Sequence, residues 1–389
     1  MKLQGIDYLN ISPLFSDDDI MVQHTTREFV EKDVIPIIED YYRKGSFPSH
    51  LIPQLGEMGF LGINLPQKYG GGGFNSLAYG LVCQELERGD SGIRSFVSVQ
   101  GSLVMYPIFA YGNEIQKSKW LPLLASGELI GCFGLTEADY GSNPGGLITK
   151  AAKTKGGFIL NGSKMWITNG SIADIAIIWA KDEHEIIRGF IVEKNMEGFS
   201  SKKMKNKWSL RASDTSELVL QDVFVPQANI LPNIEGLKGP LSCLTQARFG
   251  IAWGTIGCAM GLYEASVKYA KERIQFDKPI GSFQLIQEKL VWMLSEITKG
   301  QLIAYHLGKN KDNKSIKFQQ VSLAKRNNTM VARECAKLAR EIHGANGISG
   351  EYPIMRHLMN MESVYTYEGT FDLHTLILGE DITQISAFK

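Results

Sequence analysis

The spacing of apolar residues predicts amphipathic helices over about the first 130 residues. The segment DDDIMVQHTTREFVEKDVIPIIEDYYRK, which begins at residue 17, places apolar side chains at i, i+3 and i+4. This period brings them to one face of a helix, which can then pack on a core. Ser16 and Pro48 are typical of helix starts, and the glycine run at 70–73 predicts a turn between two helices.

A different pattern follows between residues 131 and 233. Short segments rich in β-branched and aromatic residues, such as FILNGSKMWITNG and SELVLQDVFVP, are punctuated by Gly and Asn. This pattern is typical of strands joined by tight turns. It predicts a compact antiparallel sheet or barrel in the middle of the chain.

The helical period returns between residues 234 and 389. The long segments that carry it are 250–276, 283–307, 318–343 and 355–378. Four such helices predict a bundle, and the small polar surface of several of them indicates packing between bundles in an oligomer. The whole pattern predicts an α+β protein with an N-terminal helical domain (1–130), a middle β domain (131–233) and a C-terminal helical bundle (234–389).

Composition narrows the classes of protein that remain. Lys and Arg together number 41, as do Asp and Glu, so the net charge of zero gives no bulk attraction to nucleic acid or to an anionic membrane. There is no apolar run of the length that spans a membrane, and the N-terminal segment lacks the pattern of a signal or transit peptide. Five widely spaced cysteines without CxxC predict neither a disulfide framework nor a metal site, and favour a cytoplasmic protein.

The sequence motifs of several common enzyme classes are missing. No GxGxxG opens a strand-turn-helix unit, and neither a Walker A sequence nor GxSxG occurs. The sequence therefore disfavours a nicotinamide-binding Rossmann fold, an NTPase and a serine hydrolase.

Two Gly-rich segments beside predicted strands carry hydroxyl and aromatic side chains. The first is CFGLTE at 132–137, followed by GSN at 141–143, and the second is WITN at 166–169. Free backbone N–H groups and hydroxyls in such turns suit a pyrophosphate, and an indole suits the face of a flat heterocycle. Taken singly, ordinary turn residues and a core tryptophan explain these segments at least as well.

Two further segments lie in the C-terminal region. YEGT at 367–370 places a carboxylate in an apolar helical context, where burial raises the pKa of the group toward that of a general base. A carboxylate near a helix start is the alternative explanation. RIQF at 273–276, with Gln284 and Gln287 beyond it, offers groups that can grip an adenine dinucleotide, although a plain helix end explains it nearly as well.

Taken together and in this order, the four motifs resemble those of the acyl-CoA dehydrogenase family. The matching segments are FGLTE…GS at 133–137 with 141–142, WITN at 166–169, RxQF at 273–276 and YEGT at 367–370. Each motif is modestly specific, but all four in order are highly specific, and the resemblance covers essentially the whole chain. Within the family, the segments at 89–108, 244–254 and 367–388 are similar to glutaryl-CoA dehydrogenases.

The resemblance implies FAD as the cofactor, lying between the β domain and the C-terminal bundle of a homotetramer. The residues that it places on the flavin and pyrophosphate are Phe133, Leu135, Thr136, Gly141, Ser142, Trp166, Ile167, Thr168, Thr370 and Phe388. Those that it places at the adenine end, reached from a neighbouring subunit, are Arg273, Phe276, Gln284, Glu341, Gly344 and Ala345. The family's RxQF motif is commonly followed by Gly, where this chain has Asp277.

The resemblance also implies the reaction and its base. Glu368 removes the α-proton of an acyl-CoA thioester while the β-hydrogen leaves as hydride to the flavin, and an electron-transfer flavoprotein takes the electrons. Some family members carry the base one residue before the position of Arg248, but Ala247 stands there and cannot act as one. The further substrate-binding residues that the resemblance implies are Ser142, Leu241, Arg248, Tyr367 and Gly369.

The expectation about which acyl group the substrate has depends on Arg94. It lies in an apolar helical region, where a lone guanidinium is costly unless it meets an anion. The resemblance implies that it binds the distal carboxylate of glutaryl-CoA, which is oxidised to glutaconyl-CoA and decarboxylated to crotonyl-CoA. Glu87, about two helical turns earlier, is expected to share a face with Arg94. Ser95, Ser98 and Tyr367 are expected to add hydrogen bonds.

Several alternatives stay open at this point. Arg94 and Glu87 can form an internal ion pair without substrate contact. The enzyme can be a short-chain acyl-CoA oxidase, a dehydrogenase of a non-carboxylated short acyl group, or a glutaryl-CoA dehydrogenase that does not decarboxylate. A non-catalytic FAD-binding scaffold is disfavoured, because Glu368, Arg248 and Thr168 are all present.

Overall fold

Helices form both ends of the chain and strands form its middle. The computed structural model describes residues 1–388. The N-terminal helices are α1 Asp17–Phe29, α2 Ile35–Lys44, α3 Ile52–Glu57, α4 Ser76–Gly89, α5 Ser91–Ser98, α6 Tyr106–Tyr111 and α7 Glu114–Ser126. The strands of the middle region are β1 Gly131–Gly134, β2 Lys150–Thr154, β3 Gly157–Thr168, β4 Ile175–Lys181, β5 Ile187–Glu193, β6 Phe199–Lys203 and β7 Thr215–Pro226.

The C-terminal region is again helical. Its elements are α8 Lys238–Glu272, a small hairpin of β8 Ile274–Gln275 and β9 Lys278–Pro279, α9 Gln284–Asp312, α10 Phe318–Ile342, α11 Ile354–Thr366 and α12 Phe371–Thr383. The order of the three regions confirms the predicted α+β class. The domain boundaries at residues 130 and 233 stay a prediction.

The predicted helix start at Ser16 is confirmed by its capping contacts. The Ser16 hydroxyl accepts a hydrogen bond from the Asp19 N–H at 3.1 Å, and the Asp19 carboxylate accepts one from the Ser16 N–H at 3.0 Å. Such a reciprocal pair satisfies N–H groups that the first turn of a helix leaves without partners. The glycine run at 70–73 forms the predicted turn before α4, with Gly70 at φ 83° and Gly73 at φ 69°.

The sheet of the middle region is mostly antiparallel, except that β4 has parallel neighbours. Its strand order is β1-β4-β2-β3-β7-β6, and β5 pairs with β4. The expectation of an antiparallel sheet is wrong for β1 and β2, which run parallel to β4. A parallel pair needs a long crossover connection, and the intervening strands and turns provide one between β1 and β4.

Helix α8 lies at the centre of the C-terminal region and packs on both α4 and α10. Glycines on α8 permit the close approach of α4, because an added Cβ at Gly257 would overlap the backbone carbonyl of Gln84. Three of the four predicted long segments match α8, α9 and α10. The expectation of one helix over 355–378 is wrong, because the chain turns between α11 and α12.

Within residues 1–388, no helix combines the length and the apolar character that crossing a membrane requires. All five cysteines are buried with free thiols. The apolar interior therefore accommodates them without disulfides.

Lys311, near the end of α9, holds its ammonium out of contact with solvent. Its Nζ has no hydrogen-bond partner among the described residues and lies 4.2 Å from the centre of the Phe249 ring. Burial lowers the pKa of Lys311 to about 8. Since the unfolded chain keeps a pKa of about 10.4, this lysine opposes folding fully below pH 8, and its effect fades as the pH rises toward 10.4.

We expect Lys311→Met to raise the unfolding temperature by a few degrees at pH 7, because methionine fills similar space without a buried charge. The gain should shrink as the pH approaches 10. Differential scanning calorimetry of both proteins across this pH range measures it. An unfolding temperature at pH 7 equal to or below that of the wild type would mean that the aromatic ring already compensates the ammonium.

Candidate active site

A cleft of about 1490 Å³ opens where the three regions of the chain meet. Its walls come from α5 and the π-helical turn that follows it, from the ends of β1 and β3, from the first turns of α8, and from the segment 362–388. The residues predicted from the sequence that line it are Ser95, Phe133, Leu135, Thr136, Gly141, Ser142, Trp166, Ile167, Thr168, Leu241, Arg248, Tyr367, Glu368, Gly369, Thr370 and Phe388. One cleft therefore brings together most of the predicted site.

Glu368 lies in a tight turn rather than in a helix. Its φ of 53° is in the left-handed region, which non-glycine residues adopt rarely and at a cost, and Gly369 follows at φ 99°. Thr370 then begins α12, with its hydroxyl accepting a hydrogen bond from the Leu373 N–H at 3.0 Å. The apolar period continues through this break, which explains why it predicted one helix. The local signals of the break are Gly369 and the capping Thr370.

Two buried cations hold the three carbonyls of this turn. Lys325 Nζ, from α10, donates to the Tyr367 carbonyl at 2.9 Å and to the Gly369 carbonyl at 2.6 Å. Arg248 Nε, from α8, donates to the Glu368 carbonyl at 2.7 Å. Hydrogen bonds from charged donors are stronger than neutral ones, so they can stabilise a strained backbone. Arg248 was predicted from the sequence, whereas Lys325 was not, because a lysine within the apolar period of α10 is a weak signal.

The carboxylate of Glu368 is poised to change its protonation state. The residue is half-buried at the cleft, and its Oε2 has neither solvent contact nor a hydrogen-bond partner within residues 1–388. Burial raises the pKa of Glu368, while the charges of Arg94, Lys325 and Arg248 act against the rise. A carboxyl group with a raised pKa is suited to accept and release a proton near neutral pH.

The buried ion pair of Glu87 and Arg94 forms across a break between two helices. Asp90, with φ −164° and ψ 140°, ends α4, and its carboxylate begins α5 by accepting from the Gly92 N–H at 2.6 Å. The expectation that both residues share one helical face is therefore wrong. The turn nevertheless brings Arg94 Nε to 2.6 Å from Glu87 Oε2.

Tyr367 separates this ion pair from the cleft. Arg94 is 0% exposed and does not line the cleft, but it donates a hydrogen bond from Nη2 to the Tyr367 hydroxyl. The Ser95 hydroxyl lies 3.2 Å from the same oxygen. Ser98 is buried behind the wall, and its hydroxyl has no partner among the described residues. The hydroxyls that lie in front of the ion pair, on residues that line the cleft, are those of Tyr367 and Ser95.

On the β side of the cleft, a bulge in β3 exposes an indole ring. The register between β3 and β7 shifts between Lys164 and Ile167, and Trp166 has φ 65°. Its side chain lines the cleft and is 60% exposed, so the indole offers a free aromatic face. This arrangement is unusual for a core tryptophan and suits a flat ring system.

Three hydroxyls belong to residues that line the same cleft as this indole. Those of Thr136, Ser142 and Thr168 make no hydrogen bond within the described part of the chain. The loop that carries Ser142 is held from behind by Glu137, whose carboxylate accepts from Lys164 Nζ at 2.7 Å and from the Ile148 N–H at 2.7 Å. These groups fit a cofactor with a flat heterocycle and polar substituents.

The six residues predicted for the adenine end lie outside the cleft of a single chain. They are Arg273, Phe276, Gln284, Glu341, Gly344 and Ala345. Phe276 and Asp277 form the exposed tip of the β8–β9 hairpin at φ 52° and 59°. Asp tolerates this conformation better than most residues, so the hairpin forms without the glycine that is common in the family.

The comparisons with known proteins cover nearly the whole chain. Residues 16–128, 132–223 and 235–383 match the family models of the acyl-CoA dehydrogenase N-terminal, middle and C-terminal domains. The chain belongs to the acyl-CoA dehydrogenase family. This confirms the resemblance that the four sequence motifs carried.

Relatives of this family member match it from end to end. An acyl-CoA dehydrogenase of Bacillus subtilis is 36% identical over 372 residues, which are 94% of this chain and 98% of that protein. The crystal structure of a glutaryl-CoA dehydrogenase from Mycobacterium smegmatis is 50% identical with a TM-score of 0.96, covering 98% of this chain and 99% of that one. A structure of a glutaryl-CoA dehydrogenase from the same organism in complex with FADH2 is 47% identical, with the same TM-score and 98% coverage of both chains.

The packing around the buried ion pair of Glu87 and Arg94 can be tested at Gly254 on α8. An added Cβ there would overlap Glu87 Oε2 and lie 3.1 Å from Arg94 Nε. We expect Gly254→Ala to lower the stability by about 1–3 kcal/mol, as overpacking of a core does. Gly379→Ala on α12 is the matched control, because nothing lies within 4 Å of its added Cβ.

Thermal unfolding of the two variants measures the difference. The control should unfold at or slightly above the temperature of the wild type, since alanine favours a helix over glycine. Equal unfolding temperatures for both variants would contradict the close packing of α8 on the Glu87–Arg94 pair.

Proposed function

We propose that the protein is an FAD-dependent dehydrogenase of acyl-CoA thioesters that uses Glu368 as its base and glutaryl-CoA as its substrate. The observation that carries this proposal is Glu368, which lines the cleft on a turn fixed by Lys325 and Arg248 and has a carboxylate oxygen without a hydrogen-bond partner within residues 1–388. Membership of the acyl-CoA dehydrogenase family supports it.

FAD is the cofactor in this proposal. The indole of Trp166 offers a wall for the flavin, and the hydroxyls of Thr136, Ser142 and Thr168 offer hydrogen bonds to it and to the pyrophosphate. Bound FAD supplies the acceptor for the hydride that leaves the β-carbon of the substrate. The related glutaryl-CoA dehydrogenase in complex with FADH2 supports this assignment.

The residues of the chain activate the thioester by two contacts. Glu368 removes the α-proton, because burial raises the pKa of its carboxyl group and so makes the carboxylate a stronger base. Its own backbone N–H has no hydrogen-bond partner within residues 1–388. This N–H donates to the thioester carbonyl and stabilises the negative charge that develops on the oxygen as the proton leaves.

The acyl end of the cleft supports a substrate with a distal carboxylate. The hydroxyls of Tyr367 and Ser95 donate to that carboxylate, and Arg94 supplies positive charge behind Tyr367. Loss of an α-proton and a β-hydride converts glutaryl-CoA to glutaconyl-CoA. The distal carboxylate then leaves as CO2, and the γ-carbon takes a proton to give crotonyl-CoA. Similarity to glutaryl-CoA dehydrogenases at 47% and 50% identity supports this substrate.

The proposal extends to partners. An electron-transfer flavoprotein takes the electrons from the reduced cofactor. The adenine-end residues lie outside the cleft of a single chain, which supports a homotetramer in which a neighbouring subunit supplies them.

A second candidate is a dehydrogenase or oxidase of a non-carboxylated short acyl group. The observation that favours it is the close pairing of Arg94 with Glu87 at 2.6 Å, which neutralises the charge that a distal carboxylate would meet. A third candidate, for which the same cleft is suited, is a glutaryl-CoA dehydrogenase that releases glutaconyl-CoA without decarboxylation.

Glu368→Gln tests the base. The amide keeps the shape but cannot take the proton, so kcat for acyl-CoA oxidation should fall by about 10²- to 10⁴-fold with flavin content unchanged. In the wild type, kcat should fall as the pH drops through a pKa above the ordinary glutamate value of about 4.3. The control is Glu362→Gln, another carboxylate of the cleft wall, which pairs with Arg333. Similar losses in both variants would contradict the assignment.

Selectivity between glutaryl-CoA and butyryl-CoA tests the role of Arg94. Removing Arg94 alone would strand the buried charge of Glu87, so the informative variant is Arg94→Met with Glu87→Met. We expect kcat/KM for glutaryl-CoA to fall by about 10- to 100-fold, because the charged hydrogen bond from Arg94 that orients the Tyr367 hydroxyl is lost, while butyryl-CoA changes little. Tyr367→Phe, which removes only the hydroxyl, should shift selectivity in the same direction. Equal effects on both substrates would favour the second candidate.

A further inference from the structure

Lys325 is a buried lysine that the sequence motifs do not assign to the reaction. It lies on α10 with 0% exposure, and its Nζ donates to two backbone carbonyls, those of Tyr367 and Gly369. No carboxylate lies within ion-pair distance of this ammonium in residues 1–388. Burying an ammonium is costly, so its two carbonyl contacts are the compensation that the fold provides.

We propose that Lys325 is a positioning residue of the active site, which clamps the carbonyls on both sides of Glu368 and so directs the carboxylate into the cleft. This inference rests on the proposed function, in which Glu368 is the base. Lys325 touches neither the substrate cleft nor the carboxylate by a hydrogen bond, so it acts through the backbone of the turn.

The geometry of the turn explains why a clamp is needed. A glutamate at φ 53° is in an unfavourable conformation, and its glycine neighbour adds freedom rather than rigidity. Arg248 holds the Glu368 carbonyl, but a single bond leaves the peptides before and after it free to rotate. Lys325 holds those two peptides at once. All three carbonyls are turned toward cations, and within residues 1–388 the Glu368 N–H has no partner, so that it is free for the thioester oxygen.

Lys325 is also one of the ionisable groups that surround the carboxylate. The others are Arg94 on α5, Glu87 on α4, Arg248 on α8, Tyr367 in the turn and His374 on α12. Burial and the nearby cations hold the pKa of His374 far below its usual value, so it stays neutral. The ammonium of Lys325 lowers the pKa of Glu368, against the effect of burial.

Two consequences distinguish this role from a general contribution to folding. Without the clamp, the carboxylate loses its direction, and misplacement by about 1 Å costs on the order of 100-fold in rate. Without the ammonium, the pKa of Glu368 rises further, so the acidic limb of the pH–rate profile moves to higher pH. A residue that only stabilises the fold would change neither quantity in the folded protein.

The experiment compares Lys325→Met, Lys325→Arg and Lys311→Met as FAD-loaded proteins, with unfolding temperature and flavin content measured for each. Lys311 is the matched control, another lysine with a buried ammonium but outside the site. We expect Lys325→Met to lower kcat for acyl-CoA oxidation by about 100-fold with KM within a few-fold, and to shift the acidic limb upward. Lys325→Arg should keep the position of the limb, and Lys311→Met should keep kcat.

A double-mutant cycle with Glu368→Gln gives a second readout. If Lys325 acts through Glu368, Lys325→Met should cost little more once the base is gone. The inference is overturned if folded, flavin-containing Lys325→Met retains the wild-type kcat and pH profile, or if it costs the same in both backgrounds. A wild-type protein that oxidises no acyl-CoA would overturn the proposed function, and this inference with it.

Discussion

The active site depends on the hydrogen bonds from two buried cations to three consecutive carbonyls. Lys325 and Arg248 come from different helices of the C-terminal region and converge on the turn at 367–369. Their donors compensate a backbone conformation that an isolated peptide would avoid. Glu368 lines the cleft from this turn, and its N–H has no hydrogen-bond partner within residues 1–388. The packing of α10 and α8 therefore determines the position of the proposed base.

The end of the cleft that is proposed to hold the acyl group lies in front of a second buried arrangement, the ion pair of Glu87 and Arg94. Close packing of α8 at Gly254 leaves no room for another side chain beside this pair. Because Tyr367 lies between Arg94 and the cleft, the guanidinium of Arg94 acts on the cleft only through its hydrogen bond to the Tyr367 hydroxyl. Tyr367 thus links both arrangements, since its carbonyl is held by Lys325 and its hydroxyl by Arg94.

Local patterns in the sequence predicted much of this fold. The features that they did not predict depend on contacts between distant parts of the chain. Ser16 was recognisable as a helix cap because its contacts lie within one turn. The break between α11 and α12 at Glu368 was not predicted, because the helical period of apolar residues continues on both sides of it. The ion pair of Glu87 with Arg94 was one of two alternatives that the sequence left open. Its geometry did not follow from the sequence, because the turn at Asp90 is stabilised by contacts within the fold, including a hydrogen bond from Arg356 at 2.6 Å.

The candidate site shows the same division between local and distant information. The motifs at 133–142, 166–168 and 367–370 supplied most of the predicted residues that line the cleft, because each motif is contiguous in the chain. Lys325 approaches the turn from 42 residues away in sequence, and no local pattern marks that contact. The parallel pairing of β1 with β4 was likewise invisible, since strand direction is set by the path of the connecting chain.

The most direct test is to mix the wild-type protein under anaerobic conditions with glutaryl-CoA or, separately, with butyryl-CoA. The absorbance of the flavin is followed, and the products are identified by mass spectrometry. The account predicts rapid bleaching of the flavin by glutaryl-CoA, slower bleaching by butyryl-CoA, and crotonyl-CoA as the product of glutaryl-CoA. Bleaching by butyryl-CoA without any response to glutaryl-CoA would contradict it.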